Sequence, residues 1–301
     1  MVGSGEGDGN DPQQPSDQGG ASQSGTSIGQ PQVSTRLTAL EIAKNVLSAA
    51  DAEFERPAGS LFWSSLASGL AIGFSFLFGA YLMTLAAPAH RMAAAALAYP
   101  LGFILVILAR SELFTENTLT PVLALLERKS MQALRGTIRV WAILLVGNLI
   151  GTLLFALVLA RTPVVDAGLH TNLLSIAEHA VQGDFGSIFY RAIFAGWLIA
   201  HLTWVLASTT ATGAQIVLIY LITWTISALG FTHAIVGSSE AFYLAVRGAQ
   251  PWGRMIGDFI LPAVLGNAVG GVLLVALLNY GQVASEVKED PEVQKRQQPA
   301  D

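Results

Sequence analysis

Six apolar stretches dominate this chain, at roughly 61–86, 92–126, 138–160, 187–208, 213–247 and 256–280. A bilayer's hydrocarbon core is about 30 Å thick and takes about 20 apolar residues of helix to cross. The second and fifth stretches are too long for one crossing, and polar residues interrupt both. The first break reads Arg110-Ser111-Glu112-Leu113-Phe114-Thr115-Glu116-Asn117, and the second runs from Gly230-Phe231-Thr232-His233 to Glu240. Non-helical backbone at membrane depth survives only against protein or a water-filled cavity. The pattern therefore predicts an all-α integral membrane protein with six transmembrane helices, the second and fifth broken.

Composition agrees. Only 12% of residues are charged and 52% are hydrophobic, with mean hydropathy +0.52. Soluble domains carry about 25% charged residues, so this chain cannot cover a water-facing surface. Residues 1–36 are rich in Gly, Ser, Gln, Asp and Pro and read as a disordered tail; they lack the basic and apolar regions of a signal peptide. Residues 37–57 hold a short amphipathic helix near 37–52, with Leu40, Ala43, Val46 and Leu47 among polar residues, lying on the membrane surface or packing on a neighbour. A six-helix transmembrane domain is expected over 58–281, and 282–301 form a polar C-terminal tail. The chain has no cysteine, which excludes disulfides, thiolate metal sites and a Cys nucleophile.

Lys and Arg placement gives the orientation. With both termini in the cytoplasm, Arg36, Lys44, Arg56, Arg128, Lys129, Arg135, Arg139, Lys288, Lys295 and Arg296 lie inside, against Arg91, Arg161, Arg191, Arg247 and Arg254 outside. The expected location is the plasma (inner) membrane, multi-pass.

The halves repeat. Gly147-Asn148-Leu149-Ile150-Gly151 matches Gly266-Asn267-Ala268-Val269-Gly270 at an offset of 119; Phe114-Thr115 matches Phe231-Thr232 at 117; Ser60-Leu61-Phe62-Trp63 resembles Ser187-Ile188-Phe189-Tyr190 at 127. Ordered matches at similar offsets indicate duplication. A unit of three crossings must enter the membrane from the opposite side in its second copy. The halves are thus inverted repeats, and the broken helices meet near the midplane. The small-residue GNxxG segments read first as close helix packing with an Asn bonding across.

His233, inside the second break, can lend a proton or a hydrogen bond to an anion in transit; the plainer alternative is a satisfied core histidine. Thr115 sits in the other break and can donate to a passing anion or cap an exposed carbonyl. Leu113, Phe114 and Ile226 could form apolar constrictions, with simple packing equally open for Ile226. Arg110, Glu112, Glu116 and Glu240 lie at or near the breaks, where an Arg110–glutamate pair that holds the break together is the leading reading. His201 beside Thr203 is placed either on the pathway or between packed helices. His90, His170 and His179 fall in or near outer loops.

Together, Ser111-Glu112-Leu113-Phe114-Thr115-Glu116-Asn117, Gly230-Phe231-Thr232-His233-Ala234, both GNxxG segments and Arg191-Ala192-Ile193-Phe194 resemble the motifs of the formate/nitrite transporter family, over residues 40 to 281. The resemblance implies an aquaporin-like fold and a homopentamer with one pore per protomer. It also implies transport of small monovalent weak-acid anions of the formate, nitrite or hydrosulfide type. It maps the family's central histidine onto His233 and its loop threonine onto Thr115. The chain departs from the pattern at Gly196 and Gly237, where asparagines are the rule. It also departs at Arg110, where a small residue is usual, and near Ala177-Glu178-His179-Ala180, which lacks a vestibule lysine. These mark a divergent member, with the two glycines on the substrate pathway and Arg110 or His201 as possible substitutes for the lost donors.

The alternative is an aquaporin-like channel for small neutral solutes, although no Asn-Pro-Ala pair occurs. An enzyme is not expected: there is no HExxH, and no acid pair has catalytic spacing. No cofactor, metal or nucleic-acid partner is expected; the partners are a small anion, the lipid bilayer and other copies of the chain.

Overall fold

The computed structural model describes residues 36–291. The expected N-terminal tail, apart from Arg36, and residues 292–301 of the C-terminal tail lie outside that range.

Helix α1 (Ala39–Glu55) opens on a capping box. The Glu41 N–H donates to Thr38 Oγ1 at 3.2 Å, and the Thr38 N–H donates to the Glu41 carboxylate at 2.7 Å. The Thr38 backbone and hydroxyl donors hold the Glu41 carboxyl below the usual carboxylate range. Ala43, Val46, Leu47 and Ala50 recur at helical spacing and are all buried, in one cluster with Leu123, Val283 and Val287. The helix packs on the bundle through this face.

The bundle follows: α2 (Ala58–Leu85), α3 (Pro88–Leu108), α4 (Thr120–Arg128), α5 (Met131–Arg161), α6 (Ala167–Ala180), α7 (Phe185–Leu206), α8 (Thr212–Ala228), α9 (Ala234–Val246) and α10 (Trp252–Glu289). Five of these, α2, α3, α5, α7 and α10, are long and apolar enough to cross a bilayer. The remaining crossing is assembled from α8 and α9, which hold 17 and 13 residues. Helix α4, with 9 residues, continues α3 after the first break. Helix α10 carries π-helical turns at Met255–Ile260 and Val272–Ala276.

The two halves cross their helices alike. A Cβ added at Gly69 on α2 would fall on the backbone of Asn148 on α5; one added at Gly196 on α7 would fall on the backbone of Asn267 on α10. The two glycines are 127 residues apart, so both crossings are backbone-to-backbone contacts that only glycine admits.

Two expectations need correction. The last helix does not stop at 281. It runs to Glu289, because Tyr280, Val283 and Val287 bury against α1, and Asp290 then pairs with Lys44 at 2.6 Å. The outer segment that carries His170 and His179 is a helix, α6, with His179 exposed and His170 partly buried. Asn172 on α6 donates to Ala80 O at 3.0 Å, and His170 Nδ1 meets Tyr243 Oη at 2.7 Å. The breaks also do not superpose through Phe114-Thr115 and Phe231-Thr232; their hydrogen bonds set a different register, given below.

Candidate functional site

Each break is held by one asparagine. In the first, Asn148 Oδ1 accepts the Phe114 N–H at 2.8 Å, while Asn148 Nδ2 donates to Ser65 O at 2.8 Å and to Glu112 O at 3.0 Å. In the second, Asn267 Oδ1 accepts the Ala234 N–H at 2.8 Å, while Asn267 Nδ2 donates to Ala192 O at 2.7 Å and to Thr232 O at 2.9 Å. These bonds equate Phe114 with Ala234 and Glu112 with Thr232, an offset of 120. Short sequence identity was misleading because Phe-Thr occurs in both breaks at different depths. The asparagines bridge helices, as the packing reading had it. They also satisfy backbone groups that the interrupted helices leave open.

The register brings Thr115 and His233 together although they are not symmetry mates. Thr115 Oγ1 lies 2.7 Å from His233 Nε2, and both side chains are buried. The Val236 N–H points at His233 Nδ1 at 3.2 Å, so His233 caps α9 through that nitrogen. A nitrogen that accepts carries no proton, which assigns the proton of the neutral ring to Nε2. His233 Nε2–H therefore donates to Thr115, and the threonine hydroxyl hydrogen remains for a third group. The Phe103 ring stands edge-on to the imidazole at 4.9 Å between centroids.

A cavity of about 440 Å³ reaches His233 from the face opposite α1, and Thr115 does not line it. Tyr99, His179, Arg191, Thr232, His233 and Glu240 supply its titratable or polar walls. Gly237 lies on the cavity wall, and a Cβ there would come within 2.7 Å of the Phe259 ring. Leu113, Phe114 and Ile226 are all buried in the main apolar cluster, and Phe114 packs edge-on to Trp141 at 5.7 Å; none of them lines this cavity.

Two expected pathway residues lie elsewhere. Gly196 belongs to the α7–α10 crossing, where an asparagine side chain has no room. His201 is exposed on α7, neither in the cavity nor buried between helices.

The ion pair at the first break also differs from expectation. Glu112 pairs with Arg56 from the α1–α2 corner and accepts from Asn117 Nδ2 at 3.0 Å. Arg110 is exposed, in a left-handed conformation (φ 56°), and the carboxylate of Glu112 is taken by Arg56 instead. Arg139 fixes the same corner by donating to Phe54 O at 3.2 Å and to Arg56 O at 2.7 Å. Glu116 Oε1 is buried without a hydrogen bond. Glu240 is 6% exposed and sits on the cavity wall. Arg56, Tyr99 and Phe103 escaped the sequence reading. Only Arg56 had a signal there, as a cation just before an apolar span.

Known proteins now bear on this geometry. The profile of the formate/nitrite transporter family matches residues 40–281. The chain is 34% identical over 260 residues to the inner membrane protein YfdC of Escherichia coli, covering 86% of this chain and 83% of that one. It is 27% identical over 201 residues to a probable formate transporter of Methanothermobacter thermautotrophicus, covering 60% and 72%. Among solved structures it resembles an FNT family ion channel (TM-score 0.67, 23% identity, 81% of this chain and 98% of that one). It also resembles a pentameric formate channel with formate bound (TM-score 0.62, 22% identity, 75% and 98%). At those identities the structural matches establish the fold. Profile, relatives and fold agree on a multi-pass membrane transport protein and not an enzyme, and the chain belongs to the formate/nitrite transporter family.

Proposed function

We propose that this protein passes small monovalent weak-acid anions of the formate, nitrite or hydrosulfide type across the inner membrane, with a proton moving alongside through the Thr115–His233 pair. The observation that carries this reading is the 2.7 Å contact between Thr115 Oγ1 and His233 Nε2, beneath a cavity open to one face. An anion in the cavity meets His233, which donates to it as the imidazolium once protonated, and the Thr115 hydroxyl is bonded to that ring at 2.7 Å. Leu113 and Phe114, next to Thr115 in the first break, form an apolar barrier, and Ile226 on α8 adds a second apolar constriction beside the cavity. It rejects a hydrated ion and admits a small acid that has gained a proton.

Both termini lie in the cytoplasm, so the cavity faces outward, and the protein works as a homopentamer with one pore in each protomer. Support for the pentamer comes from the related pentameric formate channel; support for the orientation comes from the Lys and Arg distribution.

The test is reconstitution in liposomes with flux of formate, nitrite, hydrosulfide and glycerol measured side by side. Anion flux that rises as the outer pH falls is the expected result. Glycerol flux without anion flux would mean a neutral-solute channel instead.

A further inference from the structure

Glu240 is an unusual group for an anion pathway. It is buried in the membrane-spanning region, 6% exposed, and it lies on the wall of the cavity that leads to His233. Among the described residues no hydrogen bond or ion pair reaches its carboxyl. Intramembrane carboxyls are costly and normally paired, and an unpaired one is a functional group by default.

Its place on α9 is informative. His233, Gly237 and Glu240 follow a spacing of four and then three residues, which puts all three on one helix face. That face is the cavity wall. Helical side chains lean toward the helix N-terminus, which here is the His233 end. The position a Cβ would take at Gly237 is 3.9 Å from Glu240 Oε2. With no side chain at Gly237, nothing on α9 stands between the carboxyl and the imidazole. The rise from residue 233 to 240 is about 10 Å, a gap that one small solute spans.

The other titratable groups on the cavity are Tyr99 from α3, His179 from α6, Arg191 from α7 and His233 itself; α2, α8 and α10 contribute none. Arg191 is already engaged, donating to Gln182 O and to Ser187 O. No cation is therefore in place to hold Glu240 as a carboxylate.

We propose that Glu240 is the proton donor of this cavity: in its acid form it binds the entering weak-acid anion and passes it a proton, so that the solute reaches Thr115–His233 as a neutral acid. This rests on the weak-acid anion reading above. The O–H bond at Glu240 breaks, an O–H bond (S–H for hydrosulfide) forms on the solute, and Glu240 is left as carboxylate. Hydronium from the outer solution, entering through the cavity, restores the acid. No electrons change hands.

The experiment measures formate uptake into liposomes across a range of outer pH, with a lumenal pH dye reporting the co-transported proton, for wild type, Glu240→Gln and Glu240→Asp. The glutamine keeps shape and hydrogen bonding but cannot give a proton. The expected result is loss of formate-driven lumenal acidification and a flattened pH profile in Glu240→Gln, with both retained in Glu240→Asp. Unchanged acidification and pH profile in Glu240→Gln, while wild type moves formate, overturns this inference alone. A wild type that moves no anion overturns the transport reading and this inference with it. Should the variants fail to assemble, infrared difference spectra of wild type on adding ¹³C-formate decide the matter. Loss of a protonated-carboxyl C=O band is expected, and a spectrum without that loss contradicts the proposal.

Discussion

Asn267 accepts the N–H of Ala234 at 2.8 Å, the same distance at which Asn148 accepts the N–H of Phe114 on the opposite break. Two residues in inverted halves thus perform one task, which is to hold open backbone in place inside the membrane. Replacing either by leucine leaves a buried backbone N–H without that acceptor and removes a donor from two carbonyls, although Ser65 O and Glu112 O keep the Ser68 hydroxyl. Each unsatisfied group costs about 1–3 kcal/mol. Asn148→Leu and Asn267→Leu should each lower the melting temperature in detergent clearly and by similar amounts. A drop confined to one of them would break the equivalence of the two breaks.

Gly196 supports a sharper prediction because it stands where the family resemblance suggests a missing amide. The Asn267 backbone occupies the space that a Cβ at 196 would need. Gly196→Ala should destabilise by at least about 1–3 kcal/mol, the usual range for overpacking, and Gly69→Ala should match it. Gly196→Asn should do worse, and it should not raise anion flux. Both are read by thermal unfolding in detergent and by uptake assays. A stable Gly196→Asn protein with increased flux would return this position to the pathway.

Arg56 and Arg110 separate cleanly. Arg56 pairs with the half-buried Glu112, whereas Arg110 is exposed with φ 56°. The Arg56 side chain is 32% exposed, so solvent screens the pair, and its loss should cost about 1 kcal/mol, the upper end for such ion pairs. Arg56→Ala should therefore destabilise modestly, Arg110→Ala very little, and Arg110→Gly should be neutral or stabilising because glycine adopts positive φ freely. Melting temperatures of the three variants check this; a larger loss in Arg110→Ala than in Arg56→Ala would contradict the assignment.

Asp184 caps α7, and the hydrogen bonds from the Ser187 hydroxyl and backbone N–H hold its carboxyl below the usual carboxylate range. A carboxyl with a lowered folded-state pKa stabilises above its unfolded value and loses that contribution as pH falls through the folded one. Asp184→Asn should thus melt below wild type at neutral pH, and the gap should close under acid conditions. A gap that stays constant with pH would mean the charge plays no part in the cap.

The architecture was legible because hydropathy, two over-long apolar stretches and a repeated GNxxG are local sequence signals with strong physical causes. His233 and Thr115 were legible for the same reason, as polar residues inside apolar breaks. What the sequence hid depends on register and on side-chain direction. The shared Phe-Thr pairs suggested one alignment of the breaks, and the asparagine bonds impose another, three residues away. Arg110 and Glu112 are neighbours in sequence, yet Glu112 pairs with Arg56, 56 residues away, a partner that no local pattern reveals. Helix α6 escaped notice because 14 residues are too few to register as a span. Gly196 read as a lost amide, since no sequence pattern shows that another helix's backbone already fills the space.

The central claim is that the Thr115–His233 pair carries weak-acid anions through the membrane. Formate uptake by purified protein in liposomes, across a range of outer pH, tests it most directly with wild type beside His233→Ala and Thr115→Val. The account predicts uptake by wild type that increases as the outer pH falls, and loss of that pH dependence in both variants, which retain their assembly in detergent. Uptake by His233→Ala at the wild-type rate and with the wild-type pH profile would contradict it.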